Sequence, residues 1–102
     1  MNKKQSIMQL DRSRCYLCGG KAEWADPLDE HHVFNADLKK KSEKYGLLVY
    51  LHHFKCHIFG KEAVHQNAEN NRRLKAEAQR IAMEFYDLSL DDWMKLFYKN
   101  YL

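Results

Sequence analysis

The stretch Glu30-His31-His32-Val33-Phe34, "EHHVF", decides how the rest of the chain is read. Two adjacent histidines stand between a strand-like run and a polar loop. Three more follow at His52, His53 and His57, next to Cys56, and a sixth stands at His65. Histidine is the commonest metal ligand and the side chain best suited to move protons near neutral pH. Six histidines and three cysteines grouped in this way point to a metal site with a general base beside it, rather than to scattered surface histidines.

The rest of the composition frames that reading. A chain of 102 residues, 45% hydrophobic, is expected to form one globular domain with a small core. Small cores often need a staple such as a metal or disulfides. No run approaches the ~20 apolar residues of a membrane span. The opening "MNKKQSIMQLDRSR" lacks the apolar stretch of a secretory signal, so the expected compartment is the cytoplasm, where disulfides are rare. Three cysteines cannot all pair within one chain, whereas three thiolates and one imidazole make a complete zinc site. Charge is unevenly spread. Residues 1–75 hold 14 Lys+Arg against 9 Asp+Glu, net +5, and residues 76–102 hold 3 against 5, net −2. The histidine-rich part is thus the basic part, which suits a polyanion such as nucleic acid.

Residues 1–14 read as a polar, basic arm that is mobile or loosely docked, and residues 15–102 as one domain. Within "EWADPLDEHHVF" the pattern is strand, turn, strand, with Asp26-Pro27 as the turn. "NADLKKKSEKYG" is a charged loop or short helix that stops at Gly46, and "LLVYLHHF" is a strand. A long helix is expected from about Glu62 or His65, with Leu74, Ala78, Ile81, Phe85 and Leu88 as its apolar stripe. Ser89 resembles an N-cap with acids in the first turn. The final helix it opens packs through Leu90, Trp93, Met94 and Phe97. Trp24, Tyr45, Tyr50 and Phe54 read as core. The class is α+β.

Cys15-x-x-Cys18 followed by Gly-Gly has the form of a zinc knuckle, because the glycines permit a turn that aims backbone N–H groups at thiolates. The second knuckle is read as His53-x-x-Cys56, which repeats the two-residue gap. His52-x-x-x-Cys56 is the rival spacing, and His57 is a further candidate. His52 and His53 would point to opposite faces of a strand, so only one joins easily.

The order Cys-x-x-Cys, His-His, Cys-His and then helix resembles the HNH endonuclease superfamily, and in particular small HNH-like proteins of bacteriophages. The resemblance covers about residues 15–102. It implies a zinc-stabilised ββα-metal core followed by a long C-terminal helix and a short final one. His31 then falls at the position of a catalytic metal ligand, His32 at that of the general base and His57 at that of the helix-side ligand, with His65 as an additional one. The implied cofactors are a structural zinc on Cys15, Cys18, His53 and Cys56, and Mg²⁺, Mn²⁺ or another divalent ion at the histidines. The implied substrate is DNA, in a bacterial host cell. The chain departs from the family in two ways. Gly46-Leu47-Leu48 stands where an Asn usually orients the base, leaving Asn35 or Asn67 to substitute in space. The second knuckle also carries one residue too many if His52 is its first ligand.

The chemistry can be stated from the residue types. A divalent ion on neutral imidazoles leaves positions open for a phosphate oxygen and water, and a free imidazole nearby takes the proton from that water. Adjacent strand residues point apart, so a bend must bring His31 and His32 to one site. Lys39, Lys40, Lys41 and Lys44 lie between the two strands and are read either as a solvated face or as phosphate contacts. The functional expectation is a DNA endonuclease. The alternatives are a non-hydrolysing HNH-derived module that binds DNA or a protein partner, as a phage accessory or inhibitory protein, and a plain zinc-ribbon domain.

Overall fold

The computed structural model describes residues 5–102. It is a small α+β arrangement around one two-stranded sheet. The elements are β1 (Leu28–His32), α1 (Lys39–Tyr45), β2 (Leu48–His52), α2 (Ala68–Phe85) and α3 (Leu90–Phe97). A π-helical turn, His53–Ile58, continues directly from β2.

β1 and β2 are antiparallel, with Leu28 opposite His52, His31 opposite Val49 and His32 opposite Leu48. β2, Leu-Val-Tyr-Leu-His, is made of residues that favour a pleated, half-buried surface. β1, Leu-Asp-Glu-His-His, is not, so its extended form depends on pairing with β2. Side chains alternate between the two faces of the hairpin. Asp29, His31, Val49 and Leu51 share one face; Glu30, His32, Tyr50 and His52 share the other.

The expected strand before Pro27 is absent among the described residues. Glu23 and Asp26 instead close a tight turn by exchanging backbone hydrogen bonds. The Asp26 carboxylate accepts from the N–H groups of Phe54 and Lys55, at 2.7 and 3.1 Å, and so anchors the start of the π-helical turn. Trp24 rides on that turn fully exposed, not in the core, and Phe54 is about half exposed. Tyr45 and Tyr50 are half-buried, with Tyr45 packed against Tyr86 and Phe97.

The core joins Val49 and Leu51 of β2 and Leu74, Ala78 and Ala82 of α2 to an aromatic group formed by Phe34, Trp93 and Phe97. Trp93 and Phe97 stack at 4.1 Å between ring centres and Phe34 tilts against both. Such pairs contribute roughly 0.5–1.5 kcal/mol beyond the area they bury. α3 is held open-ended by neither terminus: Ser89 and Asp92 form a reciprocal capping box, and Tyr98 closes the other end in the left-handed region at φ 69°. α2 starts at Ala68, later than expected, capped by the Asn67 side chain. Its buried residues are Leu74, Ala78, Gln79 and Ala82; Ile81 is half-buried and Phe85 exposed. Buried Gln79 made the stripe hard to place. It is fully satisfied, donating to Asn100 Oδ1 and accepting from the Tyr101 N–H.

The described part of the N-terminal arm, residues 5–14, is docked. Ser6 is buried and donates to the Leu48 carbonyl, Ile7 N–H donates to Gly46 O, and Gln9 Oε1 accepts from Tyr50 N–H at 2.8 Å. Gly46 ends α1 at φ 73°, and a Cβ there would meet the Gln5 carbonyl at 2.6 Å. Residues 1–4 of the expected arm lie outside the described residues. No helix among the described residues is long and apolar enough to cross a membrane.

Candidate metal centres

Three groups of metal-type ligands lie at the hairpin end, and the third, Asp29, His53 and His57, shares His57 with the second. The first comprises Cys15, Cys18, His52 and Cys56, whose donor atoms all lie within 4.8 Å of one another. The His52 Nδ1 is 3.3 Å from Cys18 Sγ and 4.0 Å from Cys56 Sγ. A tetrahedral zinc with bonds of about 2.0–2.3 Å spaces its ligand atoms roughly 3.3–3.8 Å apart, so the set fits such an ion with small adjustments. Three sulfurs and one imidazole are also the donor types that zinc favours. None of the cysteines is in a disulfide.

His52, not His53, completes this set. The expectation of His53 rested on a two-residue knuckle gap before Cys56, but the chain there is helical. His52 Nδ1 faces the Cys56 thiol, whereas the His53 ring turns away to the Asp29 carboxylate. His52 Nε2 donates to the Lys21 carbonyl at 2.7 Å, which leaves the lone pair on Nδ1, facing the sulfurs. The same carbonyl raises the basicity of His52 against the opposing effect of burial. Gly20 lets the first loop pass close: a Cβ there would lie 3.1 Å from the His52 ring.

The thiols are electrically unequal in the absence of an ion. Burial acts to raise Cys15, but N–H groups of Cys18 and His52 and the Cys56 thiol outweigh it, and its pKa falls to about 7. Burial, reinforced by Cys15 and Cys18, pushes Cys56 upward. Several thiolates packed this closely repel one another, and a cation between them relieves the repulsion.

The second cluster is His31, His57 and His65, whose ligand atoms also lie within 4.8 Å of one another. Each comes from a different element. His31 is on β1, His57 on the π-helical turn, and His65 on the loop after it. That loop folds back so that Val64 N–H donates to Cys56 O and His65 N–H to His57 O, at 3.0 and 3.1 Å. Gly60 makes the fold-back possible, because a Cβ there would lie 2.0 Å from the Lys55 carbonyl. The ring centres are 4.9 Å apart for His31–His57 and 4.8 Å for His57–His65.

His31 is 5% exposed, and its Nε2 is buried with no hydrogen-bond partner. A buried, unpaired polar atom costs on the order of 1–3 kcal/mol. Burial, followed by the neighbouring His57 and His65, lowers the His31 pKa to about 3, so its imidazole stays neutral. Burial and His57 also lower His65. Neutral imidazoles aimed at a common point are the form in which histidine binds metals.

Asp29 and His53 support this cluster. Asp29 Oδ2 accepts from His57 Nδ1 at 3.0 Å and is also bonded to His53 Nδ1. Burial acts to raise Asp29, but the two histidines outweigh it and hold the carboxyl ionised below its usual range. With Nδ1 engaged, His57 keeps Nε2 for a metal, the carboxylate–imidazole arrangement that orients metal-bound histidines. His53 therefore stands behind the histidine cluster. Asp29 escaped the sequence reading, although its place two residues before His31 on the same strand face was a usable signal.

A cleft of about 200 Å³ opens over the cluster, lined by Glu30, His31, His32, Asn35, Lys39, His57 and His65. β1 ends at His32 and the chain bends at Val33, so both histidines border the cleft although they start on opposite faces. His32 is not among the three converging ligands; its Nε2 is bonded to Glu43 Oε1 at 2.8 Å. Asn35 lines the cleft, whereas Asn67 is occupied in capping α2.

The four lysines separate. Lys39 reaches the cleft. Lys41 is spent on structure, bonded to the Leu96 carbonyl at the end of α3 and to the Tyr98 hydroxyl. Lys44 lies over the Tyr45 ring, and Lys40 is exposed. A larger hollow of about 440 Å³ lies outside the cysteine cluster, lined by Leu17, Lys55, Lys61, Glu62 and Asn70 beside Cys18 and Cys56.

No protein-family model, curated protein or solved structure matches the chain.

Proposed function

We propose that the chain is a metal-dependent endonuclease of the HNH type that hydrolyses DNA phosphodiester bonds, its ββα-metal core stabilised by a structural zinc on Cys15, Cys18, His52 and Cys56. The observation that carries the reading is the orphaned Nε2 of His31, buried between two further imidazoles beside a fourth that ligates nothing. A core histidine kept for packing would have found a partner for that nitrogen.

His31, His57 and His65 hold the catalytic cation. An all-imidazole set favours Mn²⁺, Zn²⁺ or another transition ion over Mg²⁺, which prefers oxygen ligands. When bound, the ion polarises the phosphate and stabilises the charge that develops on the leaving oxygen. Asp29 fixes the tautomer of His57 so that Nε2 faces the cleft. Lys39, at the cleft wall, holds a phosphate as a flexible point charge without reading sequence. His32 accepts the proton of the attacking water, because it borders the cleft and keeps one ring nitrogen free of the ligand cluster.

Nicking of supercoiled plasmid by purified protein, with Mn²⁺, Mg²⁺, Zn²⁺ or Ni²⁺ supplied in turn, tests the reading against His32→Ala. Metal-dependent nicking lost in that variant supports it. Wild-type protein that nicks with none of the ions removes it in favour of a binding module, the reading that the absent Asn at Gly46-Leu47-Leu48 favours.

A further inference from the structure

We propose that Glu43 does the work of the absent Asn: it is the positioning residue that holds His32 in the tautomer and orientation of a general base. The inference rests on the nuclease reading for its functional consequence, but its structural content stands apart from it.

The geometry is direct. His32 Nε2 lies 2.8 Å from Glu43 Oε1, and the His32 side chain is only 13% exposed. A carboxylate accepts but does not donate, so the shared proton sits on Nε2 and the lone pair is left on Nδ1. Nδ1 is then the ring nitrogen available to a water in the cleft. Without the carboxylate the neutral ring would divide between two tautomers, and only one presents a lone pair on the correct side.

Glu43 is also on a rigid mount. α1 is tied to the sheet through its neighbour Ser42, which is fully buried. Ser42 Oγ accepts from Phe34 N–H at 2.9 Å, and Ser42 O accepts from Leu47 N–H at 2.8 Å. Lys41, on the preceding residue, fastens α1 to the end of α3. The left-handed Gly46 then ends α1 three residues after Glu43. These ties fix the stretch of α1 that carries the carboxylate, which is what a positioning residue requires. Asn35, the other polar candidate, borders the cleft from an exposed position next to the bend. The bond to the His32 ring is made by Glu43.

The test uses the full chain with zinc bound. In wild type, ¹⁵N-edited spectra of the histidine rings are expected to show His32 protonated on Nε2 with Nδ1 bare. Glu43→Leu should turn this into a tautomer mixture, while Glu43→Gln, whose amide oxygen can still accept from Nε2, should restore the wild-type signature. In plasmid cleavage, Glu43→Leu should lower kcat by about 10- to 100-fold with KM and metal affinity little changed. Glu43→Gln should recover most of that loss. Added to His32→Ala, Glu43→Leu should cost nothing further. A His32 ring protonated on Nδ1 in wild type, or a tautomer indifferent to Glu43→Leu, overturns the proposal. A wild type that never cleaves refutes the nuclease reading alone, since the ring spectra still decide the role of Glu43.

Discussion

The two candidate centres are built from the same hairpin and the same π-helical turn, yet they differ in nearly every property that matters to a metal. The cysteine cluster has four donors, closes a loop against the sheet and offers the chemistry of a finished tetrahedron. The histidine cluster has three imidazole donors, a carboxylate behind it and a cleft in front. Neighbouring residues serve the two: Cys56 goes to one and His57 to the other. A closed set stabilises a fold, and an open set leaves room for chemistry. The contrast predicts that loss of the first ion unfolds the protein and loss of the second only silences it.

The largest effect should follow from breaking the closed set. Cys56→Ser, or a strong chelator, should abolish cooperative unfolding, followed by circular dichroism and by thiol titration. Structural zinc sites of this kind contribute on the order of 10–16 kcal/mol, comparable to the whole stability of a small domain. A chelated protein that melts like the native one would erase the distinction between the centres. Next in size, His32→Ala should lower cleavage by about 10²–10⁴-fold while both ions stay bound, read as turnover beside metal content.

A paired substitution sharpens the assignment of the adjacent histidines. His52→Ala should release the zinc. His53→Ala should keep it and instead weaken the cleft ion by about 10- to 100-fold, through the loosened Asp29–His57 pair. Equilibrium dialysis with each metal separates the two outcomes. The smallest effects should come from the lysines. Lys39→Gln should reduce the salt dependence of DNA affinity by about one phosphate contact. Lys41→Gln should leave that slope unchanged and cost about 0.5–1.5 kcal/mol of stability, from the lost bond to α3.

Much of this was legible in the chain itself. The thiolate pair, the strand before Cys56 and the capped final helix follow local patterns, whereas the grouping of His31 with His57 and His65 was only what the resemblance implied. What escaped was non-local. The choice of His52 over His53 depended on whether the chain beyond β2 turned as a knuckle or wound as a helix, and ligand spacing alone cannot tell those apart. Glu43 approaches His32 from a separate helix, eleven positions along a chain that obeys no period there. Trp24 reads as core in the sequence, but the Asp26 carboxylate is spent on the π-helical turn and the tryptophan is left outside.

The docked N-terminal segment has a consequence beyond the metal centres. β2 is paired on one side only by β1, so its other side would present a row of bare amides and carbonyls on a strand as apolar as Leu48-Val49-Tyr50-Leu51. Such an unguarded edge is a template for strand addition by another copy of the chain. Ser6 takes the Leu48 carbonyl, Gln9 takes the Tyr50 amide, and Tyr16 N–H takes the Tyr50 carbonyl at 2.7 Å. Two of these three guards are side chains. They satisfy the edge without themselves becoming a third strand that would pass the same exposed edge outward. A chain trimmed to begin after Gln9 would keep every metal ligand and still be expected to self-associate through β2, so the segment works as a sheath against aggregation.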